Sequence, residues 1–220
     1  MFIGHYAVAL GAKKAAPKVS LGTLILSAQF LDLLWPVLLL LGLEHVRIDP
    51  GNTAFTALDL YDYPISHSLV TALCWSFGFA FIYYFTTHYS RGAWILGLAV
   101  LSHWVLDFIT HRPDMPISPG ATTYVGLGLW NSVAGTVLVE GALFILGVVF
   151  YVRSTVAVDR TGRYAFWVLI GFFGIMYVAN ILSPPPPSET GIAIGGLLFF
   201  LIVPWGYWID RHRQYRETQS

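Results

Sequence analysis

Six apolar runs, each of 18 residues or more, constrain the fold of this chain most strongly. They lie at residues 20–43, 66–87, 92–110, 129–152, 164–183 and 191–209. Runs of this length are typical of helices that span a bilayer, and a spanning segment must satisfy its own backbone hydrogen bonds. Residues 2–14 are also apolar, but at about 1.5 Å per residue they reach only halfway through the hydrocarbon core. We therefore expect an all-α fold: a polytopic membrane helix bundle with about six transmembrane helices and a half-inserted N-terminal helix.

The composition supports a single integral membrane domain over residues 1–220. The chain is 56% hydrophobic and 11% charged, whereas soluble domains carry about 25% charged residues. Its net charge is zero, so nothing indicates a nucleic-acid partner. One cysteine, Cys74, excludes an internal disulfide.

Basic residues predict the orientation of the spans. With the N-terminus in the cytoplasm, the outer segments hold two basic residues, Arg47 and Arg112. The cytoplasmic segments then hold ten: Lys13, Lys14, Lys18, Arg91, Arg153, Arg160, Arg163, Arg211, Arg213 and Arg216. Since Lys and Arg accumulate in cytoplasmic loops, we expect both termini to be cytoplasmic.

Ionisable residues recur inside the predicted helices, where each is costly unless it has a function or a partner. They are His5, Asp32, His67, His103, Asp107 and Glu140. A helical rise of about 1.5 Å per residue places four of them roughly 13–18 Å from the cytoplasmic face, near the bilayer centre: His5, Asp32, His103 and Glu140. A hairpin of segments 2–14 and 20–43 would bring His5 to Asp32.

The spacing within the third span adds to this convergence. His103 and Asp107 are four residues apart and share one helix face, which His111 extends by a further turn. Imidazole and carboxylate together are ligands for divalent transition metals. The six residues predict a site for one or two metal ions, most simply zinc, with manganese as the second choice. His111, Ser68 and Ser102 are candidate supporting residues around it.

The order of these motifs resembles the YdjM-like family of bacterial inner-membrane, metal-dependent hydrolases, which is in turn similar to zinc-dependent phospholipase C. The resemblance covers roughly residues 1–145; the last two helices, within 160–210, lie outside it. It is carried by Gly4-His5, Phe30-Leu31-Asp32, Ser66-His67-Ser68, Ser102-His103 with Asp107, and Glu140.

This resemblance implies a bacterial inner-membrane enzyme that hydrolyses a phosphoester, of a lipid or a small molecule, with a metal-activated water. Asp107 and Glu140 would serve as ligands and catalytic groups. Family members carry a His-Arg pair before the His-Ser motif, where this chain has Tyr61-Asp62-Tyr63-Pro64. Asp62 is therefore a candidate replacement as ligand or base.

Two other functions fit the same residues at this point. Intramembrane Asp, Glu and His also mark ion and proton pathways, so a transporter or proton relay is one alternative. The other alternative is a relative of these hydrolases that retains the site but has lost the activity.

Thiol labelling tests the predicted orientation. In a Cys74→Ser background, a membrane-impermeant maleimide applied to intact cells should label Thr122→Cys, in a predicted outer loop. It should spare Val158→Cys, in a predicted cytoplasmic loop, until the cells are opened. The reverse pattern would contradict the orientation.

Overall fold

The computed structural model describes residues 1–216; the predicted cytoplasmic C-terminal residues 217–220 lie outside the described residues. The α-helices are α1 (Ile3–Ala15), α2 (Leu21–Ala28), α3 (Phe30–Leu40), α4 (Pro64–His67), α5 (Leu69–Thr87), α6 (Ser90–Thr110), α7 (Val133–Ser154), α8 (Arg160–Leu182), α9 (Glu189–Leu198) and α10 (Ile202–Arg211). The strands are β1 (His45–Ile48), β2 (Leu58–Asp62), β3 (Met115–Pro116), β4 (Tyr124–Val125), β5 (Thr155–Ala157) and β6 (Arg213–Tyr215).

Helices long and apolar enough to cross a membrane dominate the described chain. Five pass this test, with α9 and α10 joined by a short 3-10 turn into one span. A sixth is obtained when α2 and α3, which meet at 58°, count as one broken span. The predicted all-α bundle of about six spans and a short N-terminal helix is confirmed.

Polar side chains cap the helices at their N-termini. Ser68 accepts from the backbone N–H of Thr71 to start α5, and Ser132 does the same for Gly135 in α7. Asp159 accepts from Gly162 at the start of α8. Each cap satisfies a backbone donor that has no partner within its helix.

The first two spans differ from simple apolar rods. The first breaks at Gln29, and the second starts as the separate turn α4 before α5 begins at Leu69. Both breaks lie next to predicted site residues, Asp32 and His67. Hydropathy does not reveal the first break, because the residues on either side of Gln29 are apolar; the second lies at Ser68, directly after His67.

The segments outside the helices form three small antiparallel two-stranded sheets: the hairpins β1–β2 and β3–β4, and the pair β5–β6, in which the strand after α7 meets the strand after α10. The first two lie at the same end of the bundle, where the buried carboxylate of Asp59 accepts from Arg47 and Arg112. This charged cluster ties the β1–β2 hairpin to the segment that follows α6. We call this end of the molecule the hairpin end.

The short helix α1 is held deep within the bundle by α2, α6 and α7. Near its C-terminal end, Lys13 donates to Asp210 of α10 at 2.9 Å and to the Val19 carbonyl at 2.8 Å. Along its length it packs closely on Gly147 of α7. A Cβ at Gly147 would lie 2.5 Å from the Ala7 carbonyl oxygen, which is closer than van der Waals contact allows.

Substitution of this glycine tests the packing of α1. Gly147→Ala should destabilise the fold by about 1–3 kcal/mol, as overpacking does. Gly141→Ala is the matched control, since its Cβ would meet nothing within 4 Å and alanine favours helix. Thermal unfolding in detergent measures both; equal melting temperatures would contradict the close α1–α7 contact.

Candidate metal centre

Five of the six predicted ligands converge at one point inside the bundle. His5 comes from α1, Asp32 from α3, His67 from α4, and His103 and Asp107 from α6. His5, His103 and Asp107 are at most 1% exposed. Two overlapping groups have ligand atoms close enough to hold a metal ion: His5, His103 and Asp107, and Asp32, His67 and His103.

Four ligand atoms form one compact set. His103 Nε2 lies 3.4 Å from Asp32 Oδ1 and 3.2 Å from Asp107 Oδ2. His67 Nε2 lies 3.5 Å and 3.7 Å from the same two oxygens. A tetrahedral metal with bonds of about 2.1 Å holds its ligand atoms about 3.4 Å apart. The four nitrogen–oxygen distances match this spacing, and each group whose ligand atoms are all mutually close contains one of the two aspartates.

The other oxygens of the two aspartates face a different group. His5 Nε2 lies 3.1 Å from Asp107 Oδ1 and 4.0 Å from Asp32 Oδ2. His111 Nε2 is 4.0 Å from Asp107 Oδ1, and the α-ammonium of Met1 contacts the same oxygen. Each aspartate thus presents one oxygen to His67 and His103 and the other to His5.

A backbone carbonyl orients His103. Its Nδ1 lies 2.8 Å from the Ala28 carbonyl oxygen. A carbonyl only accepts, so Nδ1 carries the proton and donates. This carbonyl belongs to the last turn of α2, where helical acceptors lose their partners. The break between α2 and α3 therefore provides the acceptor that turns His103 Nε2 towards the aspartates.

A buried carboxylate orients His67 through a serine. Glu44 Oε2 accepts from Ser66 Oγ at 2.6 Å, while Oε1 accepts from the backbone N–H groups of Ile65 and Ser66 at 2.7 Å. Since the Ser66 hydroxyl donates to Glu44, it accepts from His67 Nδ1, 2.6 Å away. This fixes the tautomer of His67 with a lone pair on Nε2.

Two imidazole lone pairs thus point at two carboxylates. Neutral imidazole nitrogens and ionised carboxylates repel one another at these distances, and His103 Nε2 has no hydrogen-bond partner within the described chain. A positive charge at the centre, carried by a metal ion or by protons on the rings, removes this repulsion. Partner groups on the far ring nitrogen are the usual support of histidine metal ligands.

The remaining predicted residues lie around or away from this point. Glu140 is buried, and its Oε2 accepts from the backbone N–H groups of Phe2 (2.9 Å) and Gly4 (3.4 Å), so it holds the start of α1. It belongs to neither ligand group among the described residues. Asp62 is half exposed on β2 and binds His45 Nδ1 at 2.8 Å.

The two predicted supporting serines make other contacts. Ser68 caps α5, as described above, and Ser102 Oγ donates to the Ala99 carbonyl of its own helix. The serine that does support a predicted ligand is Ser66, whose hydroxyl accepts from His67 Nδ1.

Several site residues were missed from sequence because they lie in connecting segments. Glu44 is one. Tyr63 and Asp114 are two more: Asp114 Oδ1 lies 3.1 Å from His111 Nδ1 and accepts from the Tyr63 hydroxyl at 3.1 Å. Burial raises the pKa of Tyr63 well above its usual range, and the charge of Asp114 adds to this. Tyr63 therefore stays protonated and remains a donor.

A cavity of about 660 Å³ leads from the cluster to the hairpin end. Asp32, His67, Asp107 and His111 lie at its inner end. Its walls are largely apolar and include Phe2, Tyr6, Trp35, Phe55, Trp130 and Phe199. Its mouth is formed by residues 50–57 and the proline run at 184–186.

No family model matches the chain, and no curated protein or solved structure was found to be similar to it.

Substitution of Glu44 tests how His67 is held. Glu44→Gln replaces an acceptor oxygen with an N–H₂ group, so Ser66 and His67 lose their fixed hydrogen-bond direction. Zinc affinity, measured by competition with a chromophoric chelator, should fall about 10- to 100-fold, as for other residues that support metal ligands.

The matched control is Asp62→Asn. It also converts a carboxylate to an amide at the base of the β1–β2 hairpin, but Asp62 lies outside the ligand groups. It should leave zinc affinity unchanged. Equal affinities in both variants would show that the Glu44–Ser66–His67 chain does not support a metal ligand.

Proposed function

We propose that this protein is a membrane-embedded, metal-dependent hydrolase that acts on a phosphoester of a lipid or of a small amphiphile. The observation that carries the proposal is the convergence of His67 Nε2, His103 Nε2, Asp32 Oδ1 and Asp107 Oδ2 at 3.2–3.7 Å, at the inner end of an open cavity. Zinc is the metal we expect, because it prefers nitrogen and oxygen ligands in tetrahedral geometry.

The donor set fits such an ion. Each of the two histidines has its far nitrogen bonded to a fixed acceptor and its near nitrogen free for a ligand bond. A bound divalent ion supplies a Lewis acid that polarises a phosphoryl oxygen and lowers the pKa of water. Hydrolysis then adds one water across a P–O bond, which yields a phosphate monoester and an alcohol.

The cavity favours an amphiphilic substrate. Its volume lies within the range of about 300–1,000 Å³ that is usual for small-molecule pockets. Aromatic walls suit an apolar chain, while the aspartate and histidine side chains of the lining all belong to the cluster. Among the described residues that line it, none is Lys or Arg, so a phosphate group finds its positive charge only at the metal centre.

The residues around the cluster have separable tasks in this proposal. Asp32 has 41% of its side chain exposed and is open to the cavity, so it lies where substrate and water arrive. Glu140 does not line the cavity in the described structure and acts as a positioning residue for α1 and His5. Trp130, whose ring lies 4.2 Å from that of His111, restricts water at the inner end.

Packing on the other side of the cluster argues against a proton or ion pathway. Away from the hairpin end, the next turns of α1, α6 and α7 present Leu10, Leu96, Ala99 and Phe144, all buried in one apolar core. A relay would need polar groups or water on this side as well. A cavity that leads to the hairpin end suits a substrate that enters and leaves on that side.

A pair of histidine variants tests the proposal. The full chain is purified in detergent and loaded with zinc, and then metal content is measured by elemental mass spectrometry and hydrolysis with bis(p-nitrophenyl) phosphate. His103→Asn should lose the metal and turnover. His88→Asn, the same change at an exposed residue that ends α5, should retain both.

Absence of metal in the zinc-loaded wild-type protein would refute the metal centre. Metal without turnover on this diester or on vesicles of phosphatidylcholine and phosphatidylglycerol would refute the phosphoester hydrolase and leave a metal-binding membrane protein.

A further inference from the structure

The two aspartates at the centre divide their oxygens between two groups of ligands. Asp32 Oδ1 and Asp107 Oδ2 face His67 and His103, at 3.2–3.7 Å. Asp107 Oδ1 and Asp32 Oδ2 face His5, at 3.1 Å and 4.0 Å. A carboxylate in this position can bridge two ions, whereas a single imidazole nitrogen binds only one.

We infer that the centre holds two divalent cations, with Asp32 and Asp107 as bridging ligands. The first ion binds His67 and His103, and the second binds His5 on the opposite oxygens, with His111 at its edge. This inference rests on the proposed metal centre. Paired ions in hydrolytic enzymes lie about 3.5–4 Å apart, a separation that carboxylate bridges span.

The rings around the second position are placed to accept an ion. His5 is buried, and its ring stacks on His103 with centroids 3.6 Å apart, so the two histidines approach the aspartates side by side. His111 is also buried; its Nδ1 lies 3.1 Å from Asp114 Oδ1, and its Nε2 faces Asp107. A histidine held through Nδ1 by a carboxylate is the usual form of a supported ligand.

The geometry of the second position predicts the weaker of the two ion sites. The ligand atoms here are spaced more loosely, at 3.1–4.0 Å, than those of the first position. We therefore expect the second ion to bind more weakly than the first.

Charge balance also favours a second ion for an anionic substrate. One divalent ion only cancels the two negative side-chain charges of Asp32 and Asp107. A second divalent ion gives the centre an excess of positive charge with which a phosphodiester anion can pair. The described lining of the cavity contains no Lys or Arg that could supply this charge instead.

Metal counting tests the inference. Full-length protein in detergent is titrated with zinc, and bound metal per chain is measured by elemental mass spectrometry after removal of free ion. We expect two equivalents in the wild type, the second bound more weakly, and one in His5→Asn. His111→Asn should weaken the second equivalent and leave the first unchanged, while His88→Asn should bind two.

Each outcome separates this inference from the proposed function. One equivalent in the wild type, unchanged in His5→Asn, overturns the second ion and leaves the first centre and its hydrolytic role intact. No bound zinc overturns both. Two equivalents that persist in His5→Asn, or both lost in that folded variant, overturn the assignment of His5 to the second position alone.

A second measurement needs no variant at the site. With manganese in place of zinc, two ions that share carboxylates are magnetically coupled, so electron paramagnetic resonance should lose the signal of isolated ions as the second equivalent binds. If His5→Asn fails to fold, this spectrum and His111→Asn decide the question. An isolated-ion signal that grows in proportion to two bound equivalents would overturn the bridged pair.

Discussion

The aspartates inside the helix bundle determine how the rest of this structure must be arranged. A buried carboxylate without a compensating charge costs several kcal/mol, and Asp107 is almost fully buried beside Asp32. Histidines surround both, but two of them, His67 and His103, point lone pairs rather than N–H groups at the carboxylates when they are neutral. A cation at the centre would turn these repulsive contacts into ligand bonds, and this is why we propose that the cluster is a metal site.

The irregular features of the fold serve this cluster. A straight first span would use the Ala28 carbonyl within its own helix; the break at Gln29 frees it for His103. The short turn α4 brings Ser66 and His67 into contact with Glu44, which lies in the preceding loop. Glu140 accepts from the first backbone N–H groups of α1, and this fixes the depth at which His5 enters the bundle. Bends and caps that weaken the spans as membrane helices thus position the ligands.

Helical periodicity and depth account for the part of the site that the sequence predicts. His103 and Asp107 share a face because they are four residues apart, and the hairpin of α1 with the broken first span, α2 and α3, brings His5 to Asp32. Depth alone does not give direction around a helix axis, so Glu140 is at the predicted level but contacts backbone instead of joining the ligand groups. Glu44, Tyr63 and Asp114 could not be predicted, since they lie in loops whose hairpins depend on tertiary contacts. Asp62 is close to His67 in the sequence, but the β1–β2 pairing places it at the surface.

The charge pattern of the cavity links the site to its proposed substrate. Phosphate-binding pockets in soluble proteins usually use Arg, Lys or helix N-termini. Here the described lining is largely aromatic and apolar, and its aspartate and histidine side chains all belong to the proposed metal site. Binding of a phosphodiester would therefore depend on the metal, while the apolar walls would bind the chain of the substrate without it. Removal of the metal should then abolish recognition of the head group but leave affinity for an uncharged amphiphile, a separation that a pocket lined by Arg or Lys would not produce.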